Sequence, residues 1–147
     1  MTFLDVFAGS WAGTNGFRLM PSDPLAEHPA TLTVTPGAGG HLTSVAYTWR
    51  HPDDGDQEGM LALGEQEDGS LVALWADSWH QKPAPMTLSG KVLEAQYEGG
   101  FAWRIVFEPT GPDELTMRMD NVVPPEYGTP EAPAGPYPAM LMNLHRA

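Results

Sequence analysis

Apolar and polar residues alternate with a period of two along much of this chain, which is the pattern of half-buried β-strands. In the segment 101–108, one face carries four apolar side chains: Phe101, Trp103, Ile105 and Phe107. Two further segments place large apolar residues on one face, namely Tyr47 with Trp49 in 41–51 and Met117 with Met119 in 114–121. β-Branched and aromatic residues are frequent in these segments, as expected of strands.

Turn-forming residues separate the alternating segments at short intervals. The chain has 16 Gly and 15 Pro in 147 residues, and most fall between apolar runs. The strands predicted between them are 11–20, 30–36, 41–51, 57–67, 70–79, 86–91, 92–98, 101–108, 114–123 and 138–146. Short connections between successive strands imply an antiparallel meander, and closing a meander removes its exposed edges.

The predicted fold is therefore all-β: one domain over 1–147, forming a single closed antiparallel up-and-down barrel of eight to ten strands. An open sandwich of two sheets is the alternative. Residues 2–9 favour one short helical turn before the first strand, ended by Gly9. The segment 124–138, with six prolines, predicts one long surface loop, the only connection long enough to act as a lid.

Composition limits the classes of partner. The net charge of −12 repels phosphate backbones and anionic lipid, so we expect neither nucleic-acid nor membrane binding. No apolar run is long enough to span a membrane, and the N-terminus lacks the pattern of a signal peptide. Because the chain has no cysteine, disulfides and Cys-based metal sites are excluded. We expect an acidic, cytoplasmic protein.

Two blocks of sequence resemble a known group of proteins. The segment Gly9-Ser10-Trp11-Ala12-Gly13-Thr14-Asn15-Gly16 resembles the opening strand of calycin-type barrels, which include lipocalins, fatty-acid-binding proteins and nitrobindin-like proteins. The segment Trp75-Ala76-Asp77-Ser78-Trp79 is similar to a Trp-x-Asp-Ser strand of an uncharacterised bacterial family of lipocalin-like domains. The resemblance implies a lipocalin-like fold but no particular activity.

The calycin resemblance also implies roles for two residues near the chain ends. In that pattern the tryptophan of the first strand, here Trp11, packs at the closed end of the barrel beneath a cation of the last strand, here Arg146. The nitrobindin-like branch would add haem held by a histidine near the C-terminus, and His145 is the matching residue. The chain has Met60-Leu61 where a Met-His pair of that branch is expected, so we predict no cofactor and keep haem as an alternative.

Aromatic and thioether side chains provide the main indication of a ligand. The chain has five Trp and eight Met, and flexible methionines suit adaptable pockets. If the apolar faces all point inward, they form the lining of one cavity, with Asp77 and Asn121 as polar anchors. The predicted ligand-binding residues are Phe17, Tyr47, Trp49, Trp75, Asp77, Trp79, Trp103, Phe107, Met117, Met119 and Asn121. Close packing of these side chains against one another is the alternative.

Other candidate sites are weaker. The histidines show no metal-ligand spacing, and no nucleophile or nucleotide motif is present, so we predict no catalytic residue and no metal. The pair Asp77 and His80 leaves open an enzyme of the same fold acting on a hydrophobic substrate. Strand arginines such as Arg104 and Arg118 share faces with acidic residues, which favours solvent-facing pairs over a ligand-binding role.

These observations predict a non-catalytic protein that binds a small hydrophobic or aromatic molecule inside a β-barrel. Its partner would be that molecule, and the protein would be a monomer or a homodimer. Enzymatic activity and haem binding remain the alternatives.

Overall fold

A computed structural model describes residues 2–147, so Met1 lies outside the described structure. Ten strands account for most of it: β1 Gly9–Phe17, β2 Ala26–Gly37, β3 Leu42–His51, β4 Gly55–Glu65, β5 Leu71–Asp77, β6 Gln81–Ser89, β7 Val92–Gln96, β8 Ala102–Gly111, β9 Glu114–Val123 and β10 Gly135–Arg146. The helical segments are short 3-10 turns: Phe3–Phe7, Ala38–Gly40, Glu98–Gly100 and Pro125–Tyr127. None of the helices in the described residues is long and apolar enough to cross a membrane.

The strands form one closed antiparallel barrel in which each strand pairs with its neighbours in sequence. The barrel closes where β1 pairs with β10, in a register that places Trp11 opposite Arg146 and Phe17 opposite Met140. The predicted up-and-down barrel is thus confirmed, with ten strands, and the open sandwich is wrong. The N-terminal turn is confirmed at Phe3–Phe7, with Leu4 and Phe7 buried against the barrel core.

Strand boundaries differ from the prediction where proline lies inside a strand. Proline lacks the N–H that a ladder needs, so it predicts a strand end. Nevertheless β2 contains Pro29, β6 contains Pro83 and Pro85, and β10 contains Pro136 and Pro138. Around these prolines each strand pairs with only one of its two neighbours. Pairing with the other neighbour begins at Thr31 in β2, Thr87 in β6 and Met140 in β10. The prolines therefore occupy stretches that pair on one side alone.

The two ends of the barrel differ. At one end, here called the closed end, the turn Phe3–Phe7 packs beside Trp11, whose indole Nε1 donates a 2.8 Å hydrogen bond to the carbonyl of Phe7. At the other end, here called the mouth, lie the connections after β1, β3, β5, β7 and β9. The last of these covers 124–134, shorter than the predicted 124–138 because Gly135–Pro138 already pair with β9.

The interior is one continuous apolar core built from the inward face of every strand. Alternation along β3 shows the principle: Val45, Tyr47 and Trp49 are buried, whereas Ala46 and Thr48 are exposed. The same alternation buries Ile105 and Phe107 in β8 and Met117 and Met119 in β9. The faces singled out in the sequence therefore converge on the same interior.

Candidate functional site

Most of the predicted ligand-binding residues lie in the half of the barrel nearest the mouth. Phe17, Trp49 and Asp77 lie at or next to strand ends that open there, and Trp103 starts the opposing wall in β8. Trp79 follows β5 in the turn 78–80 and is half-buried. Phe107 differs, because it borders a concave region of about 540 Å³ at the closed end, together with Trp11 and Arg146. The sequence thus predicted that these residues line one cavity, whereas the structure divides them between the mouth and the closed end of the barrel.

Asp77 is the centre of a hydrogen-bonded network inside the mouth half. Its Oδ2 accepts hydrogen bonds from the Tyr47 hydroxyl at 2.6 Å and from Trp49 Nε1 at 3.1 Å. Its Oδ1 accepts a third from the backbone N–H of Trp79 at 2.9 Å. Trp75 Nε1 extends the network by donating to the Tyr47 hydroxyl at 3.0 Å. Four predicted residues and the backbone of a fifth are therefore joined through one carboxylate.

The position of Tyr47 depends on a glycine opposite it. Gly59 pairs with both Tyr47 and Asp77 across β4, and a Cβ at this glycine would lie 2.1 Å from the Tyr47 Cζ. The phenol ring therefore lies directly over the Gly59 backbone on its way to Asp77. Burial raises the pKa of Tyr47 well above its ordinary value, and the nearby Asp77 charge adds to this effect.

The pKa of Asp77 is also displaced. Burial among aromatic rings raises it, and this effect outweighs the hydrogen bonds from Tyr47, Trp79 and Trp49, which lower it. The three donors show that the carboxylate is held by the protein itself. His80 is not an acid–base partner of Asp77 in this structure. It is exposed, has a left-handed φ of 58°, and makes no hydrogen bond to Asp77.

A second group of rings closes the mouth beside this network. Phe17 stacks on Trp49 with ring centroids 5.4 Å apart, and Trp79 stacks on His51 at 4.8 Å. Phe17 also contacts Trp79 edge-on at 5.3 Å. His51 is buried and accepts two backbone N–H groups at Nδ1, from Asp53 and Asp54, so its remaining proton lies on Nε2. These four rings pack on one another at the mouth.

The opposite wall of the mouth carries Trp103 and Asn121. Trp103 lies parallel to Trp75, with ring centroids 6.0 Å apart. Asn121 pairs in register with both Trp103 and Tyr137, and its amide donates to the Tyr137 hydroxyl at 3.2 Å. The predicted lid, the connection 124–134, contacts this wall through Tyr127, which packs on Phe101 at 5.4 Å.

Four methionines form one side of the barrel interior, which we call the methionine wall: Met117, Met119, Met140 and Met142. Met119 pairs with Met140 and Met117 with Met142 across β9 and β10, and all four are buried. The wall continues across the barrel closure to β1, where Met142 is opposite Asn15 and Met140 is opposite Phe17. Thioether chains have several accessible rotamers, so this side of the interior is the one that can repack.

Three buried polar groups in the barrel lack a hydrogen-bond partner in the protein. Asn15 is fully buried, and neither its Oδ1 nor its Nδ2 is bonded to another group. The same holds for Trp103 Nε1 and His28 Nδ1. Such groups are uncommon in native proteins, because an unpaired buried polar atom costs about 1–3 kcal/mol. They therefore need an explanation other than packing.

One concave region lies on the outer side of the barrel wall. It has a volume of about 850 Å³ and covers the outer face of β2–β5 and the turn before β6, where Met60, Ala76 and His80 border it. Tyr47 and Asp77 also border it, beside Gly59. We call it the outer groove. Met60 is 60% exposed there, and Leu74 on the same outer face is 51% exposed. Met60 and Leu74 were not predicted here, because they read as ordinary strand residues in the sequence. Asp77 and His80, weighed above as an acid–base pair, both border this groove.

The residues weighed for other functions lie away from the interior. His145 is exposed on the outer face of β10, opposite Glu114, so it does not fit the role of a haem ligand inside the barrel. Arg104 pairs with Glu94 at 2.9 Å on the outer face, as predicted from alternation. Arg118 pairs with Asp120 at 3.1 Å, but Asp120 is only 6% exposed, so this pair is not solvent-facing as predicted. Within residues 2–147 no group of three or more metal-ligating side chains comes together.

Several interior residues were missed from the sequence: Asn15, His28, His51, Met140 and Met142. A signal was present for four of them. Asn15 lies two residues before Phe17 and His51 two residues after Trp49, so each shares its neighbour's face, and Met140 and Met142 alternate with Leu144 in the same way. His28 precedes Pro29 in a stretch that the proline removed from the predicted strand, so no signal placed it inside.

No protein-family model matches the sequence, and neither does any curated protein. The fold is similar to that of Rv2717c from M. tuberculosis, known from a crystal structure, with a TM-score of 0.61 and 17% sequence identity over 98% of this chain and 96% of that one. At this identity the likeness shows the fold alone.

Proposed function

We propose that this barrel binds one small hydrophobic or aromatic molecule in the mouth half of its interior, without catalysing a reaction on it. The observation that carries the proposal is the combination of a repackable methionine wall with unpaired polar groups, Asn15 and Trp103 Nε1, in the same interior. A bound molecule would give these groups hydrogen-bond partners and would contact the apolar side chains around them.

Binding in this position requires side chains to move. The aromatic rings of the mouth pack on one another, so the space for a ligand must come from the methionine wall. Methionine is suited to this role because its thioether chain changes rotamer at low cost. Removal of apolar ligand surface from water, at about 25 cal/mol per Å², would supply most of the affinity, with the polar groups fixing orientation.

A binding role agrees better with the state of Asp77 than catalysis does. All three hydrogen bonds that Asp77 accepts come from the barrel, and His80 is not bonded to it. An acid–base pair needs its two groups within hydrogen-bond reach, and Asp77 and His80 both border the outer groove without such a bond. Asp77 instead fixes Tyr47, Trp49 and the turn at Trp79, which gives the binding site a rigid base.

The proposal includes two broader points. We infer that the barrel is of the calycin type, supported by the pairing of Trp11 with Arg146 at the closure. A cytoplasmic location and a monomeric or homodimeric state, expected from composition, also belong to the proposal. The proposed partners do not include nucleic acid or membrane lipid, because the net charge of −12 repels phosphate groups and anionic lipid.

The test is a titration with N-phenyl-1-naphthylamine, an uncharged probe that emits strongly in apolar surroundings. We expect saturable probe emission with quenching of tryptophan fluorescence, and weaker binding by Trp103→Ala. Arg50→Ala is the matched control, because Arg50 is exposed and pairs only with Asp56. Absence of saturable binding, or equal loss in both variants, would refute the proposal. If the probe does bind, native mass spectrometry of gently purified protein would identify a natural ligand.

A further inference from the structure

The molecule that fits this interior can be described more closely, and the description rests on the proposed function. We infer that the ligand is uncharged and carries a hydrogen-bond donor and acceptor side by side, as in a primary amide or a lactam, which pairs with the side chain of Asn15. Two independent observations lead to this inference: the unpaired amide of Asn15 and, among residues 2–147, the lack of an arginine or lysine on the inward faces of the mouth half, since inward-facing Arg146 lies at the closed end.

Asn15 offers both a donor and an acceptor to the interior. It is 0% exposed, lies on the inward face of β1 opposite Met142, and neither Oδ1 nor Nδ2 has a protein partner. A carboxamide is satisfied at both atoms only by a group that accepts from Nδ2 and donates to Oδ1. An amide edge on the ligand does this with two parallel hydrogen bonds, whereas a carboxylate leaves Oδ1 without a donor.

His28, the neighbour of Asn15 on β2, provides a second unpaired polar group at this position. His28 is paired with Asn15 in register, so the two side chains share the inward face of adjacent strands. Its Nδ1 is also buried without a partner, so it is not bonded to the Asn15 amide. The interior therefore presents a small polar patch of two residues in otherwise apolar surroundings, next to the methionine wall.

The basic residues of the described chain all lie elsewhere. Each arginine bonds to the barrel surface: Arg18 to the carbonyls of Pro138 and Pro21, Arg50 to Asp56, Arg104 to Glu94, Arg118 to Asp120, and Arg146 to Asp113. Lys82 and Lys91 are exposed. A buried anion needs an opposing charge, and the nearest charge inside the mouth is the carboxylate of Asp77. An acidic ligand such as a fatty acid is therefore disfavoured.

The test compares three probes that share an indole ring: indole-3-acetamide, indole-3-acetate and 3-methylindole. Titrations by calorimetry are run at about pH 8, where an ordinary imidazole is neutral. We expect the amide to bind about tenfold more tightly than the carboxylate, since one buried hydrogen-bonded pair accounts for such a factor. Equal affinity for the two probes would overturn the inference.

Substitution of Asn15 makes the comparison specific. Asn15→Leu keeps the branching of the side chain and removes both polar atoms, so it should lower the affinity for the amide about tenfold relative to the affinity for 3-methylindole. Asn15→Ser is a second variant in case the leucine disturbs folding. Unaltered amide affinity in the folded variants would overturn the inference. If N-phenyl-1-naphthylamine still binds, the proposed function stands and only this inference fails. If that probe does not bind either, both fail.

Discussion

The guanidinium carbon of Arg146 lies 4.4 Å from the centre of the Trp11 ring. The two residues are opposite each other where the first and last strands close the barrel, and Arg146 also bonds to Asp113 and to the carbonyl of Ala8. One side chain thus connects the first strand, the last strand and the β8–β9 turn. The cation–π pairing predicted for the closure is confirmed.

Arg146→Ala should lower the free energy of unfolding by about 1 kcal/mol, through loss of the cation–π contact and of the packing of its methylene groups. Urea denaturation followed by tryptophan fluorescence measures the change.

Arg50→Ala is the control for this prediction. It removes the same charge from the same acidic protein, but its ion pair with Asp56 is exposed on both sides. Such pairs contribute little to stability. If both variants lose equal stability, the effect of Arg146→Ala comes from net charge and the closure argument is wrong.

The sequence predicted the barrel because strands with one solvent-exposed face show an alternation of apolar and polar residues. Segments such as 101–108 and 114–123 have a period of two that also identifies the inward face, so Trp103, Phe107, Met117 and Met119 were placed correctly. Boundaries failed at Pro29, Pro85 and Pro136, because a sequence does not reveal which strands lack a second neighbour at a given position.

The site was predicted less well, for two physical reasons. Aromatic content indicated a lining but not how the rings divide between the mouth and the closed end, which depends on strand register. Phe107 and Trp103 share a face of β8 yet lie toward opposite ends. The polar network of Asp77 and the unpaired state of Asn15 depend on side-chain contacts between strands distant in sequence, which no local pattern encodes.

Gly59→Ala should be strongly destabilising. Its Cβ would lie 2.1 Å from the Tyr47 Cζ, and an aromatic ring bonded to Asp77 cannot move aside without breaking that bond. We expect a loss of about 3 kcal/mol, at the upper end of overpacking effects. Thermal denaturation by circular dichroism provides the measurement.

Gly37→Ala is the matched control for that substitution. Gly37 has extended backbone at the end of β2, and the nearest atom to its Cβ is 4.0 Å away. A small effect there and a large one at Gly59 are expected. Comparable effects at both would show that the cost comes from loss of glycine as such and not from contact with Tyr47.

Asp77 should make stability fall as pH rises. Because its folded pKa is raised above the ordinary 3.8, the folded protein binds the proton more tightly than the unfolded chain does. The stabilising effect is complete below the unfolded pKa and is lost as pH rises through the folded pKa.

Comparison with Asp77→Asn isolates this effect from those of the other carboxyl groups. Urea denaturation of both proteins at a series of pH values gives the difference in free energy of unfolding, wild type minus variant. We expect this difference to decrease from low pH toward neutral pH. A difference that increases over the same range would mean that the folded pKa of Asp77 is lowered.

Asn15→Leu should raise the stability of the ligand-free protein. The substitution removes two buried polar atoms that lack partners, and each such atom costs about 1–3 kcal/mol. Part of this gain is offset by fitting the leucine beside Met142, so we expect a net increase of about 1 kcal/mol in urea denaturation. A loss of stability of similar size would indicate that Asn15 holds the fold together.

Methionine-methyl NMR locates the binding site most directly. The protein is labelled with ¹³C at the methionine methyl groups, each signal is assigned by Met→Leu substitution, and N-phenyl-1-naphthylamine is titrated in. We expect the signals of the four buried methionines, Met117, Met119, Met140 and Met142, to shift with saturation. The signal of Met60, exposed in the outer groove, should stay in place. A saturable shift of Met60 with the four buried signals unchanged would place the probe on the outer groove and contradict a ligand site inside the barrel.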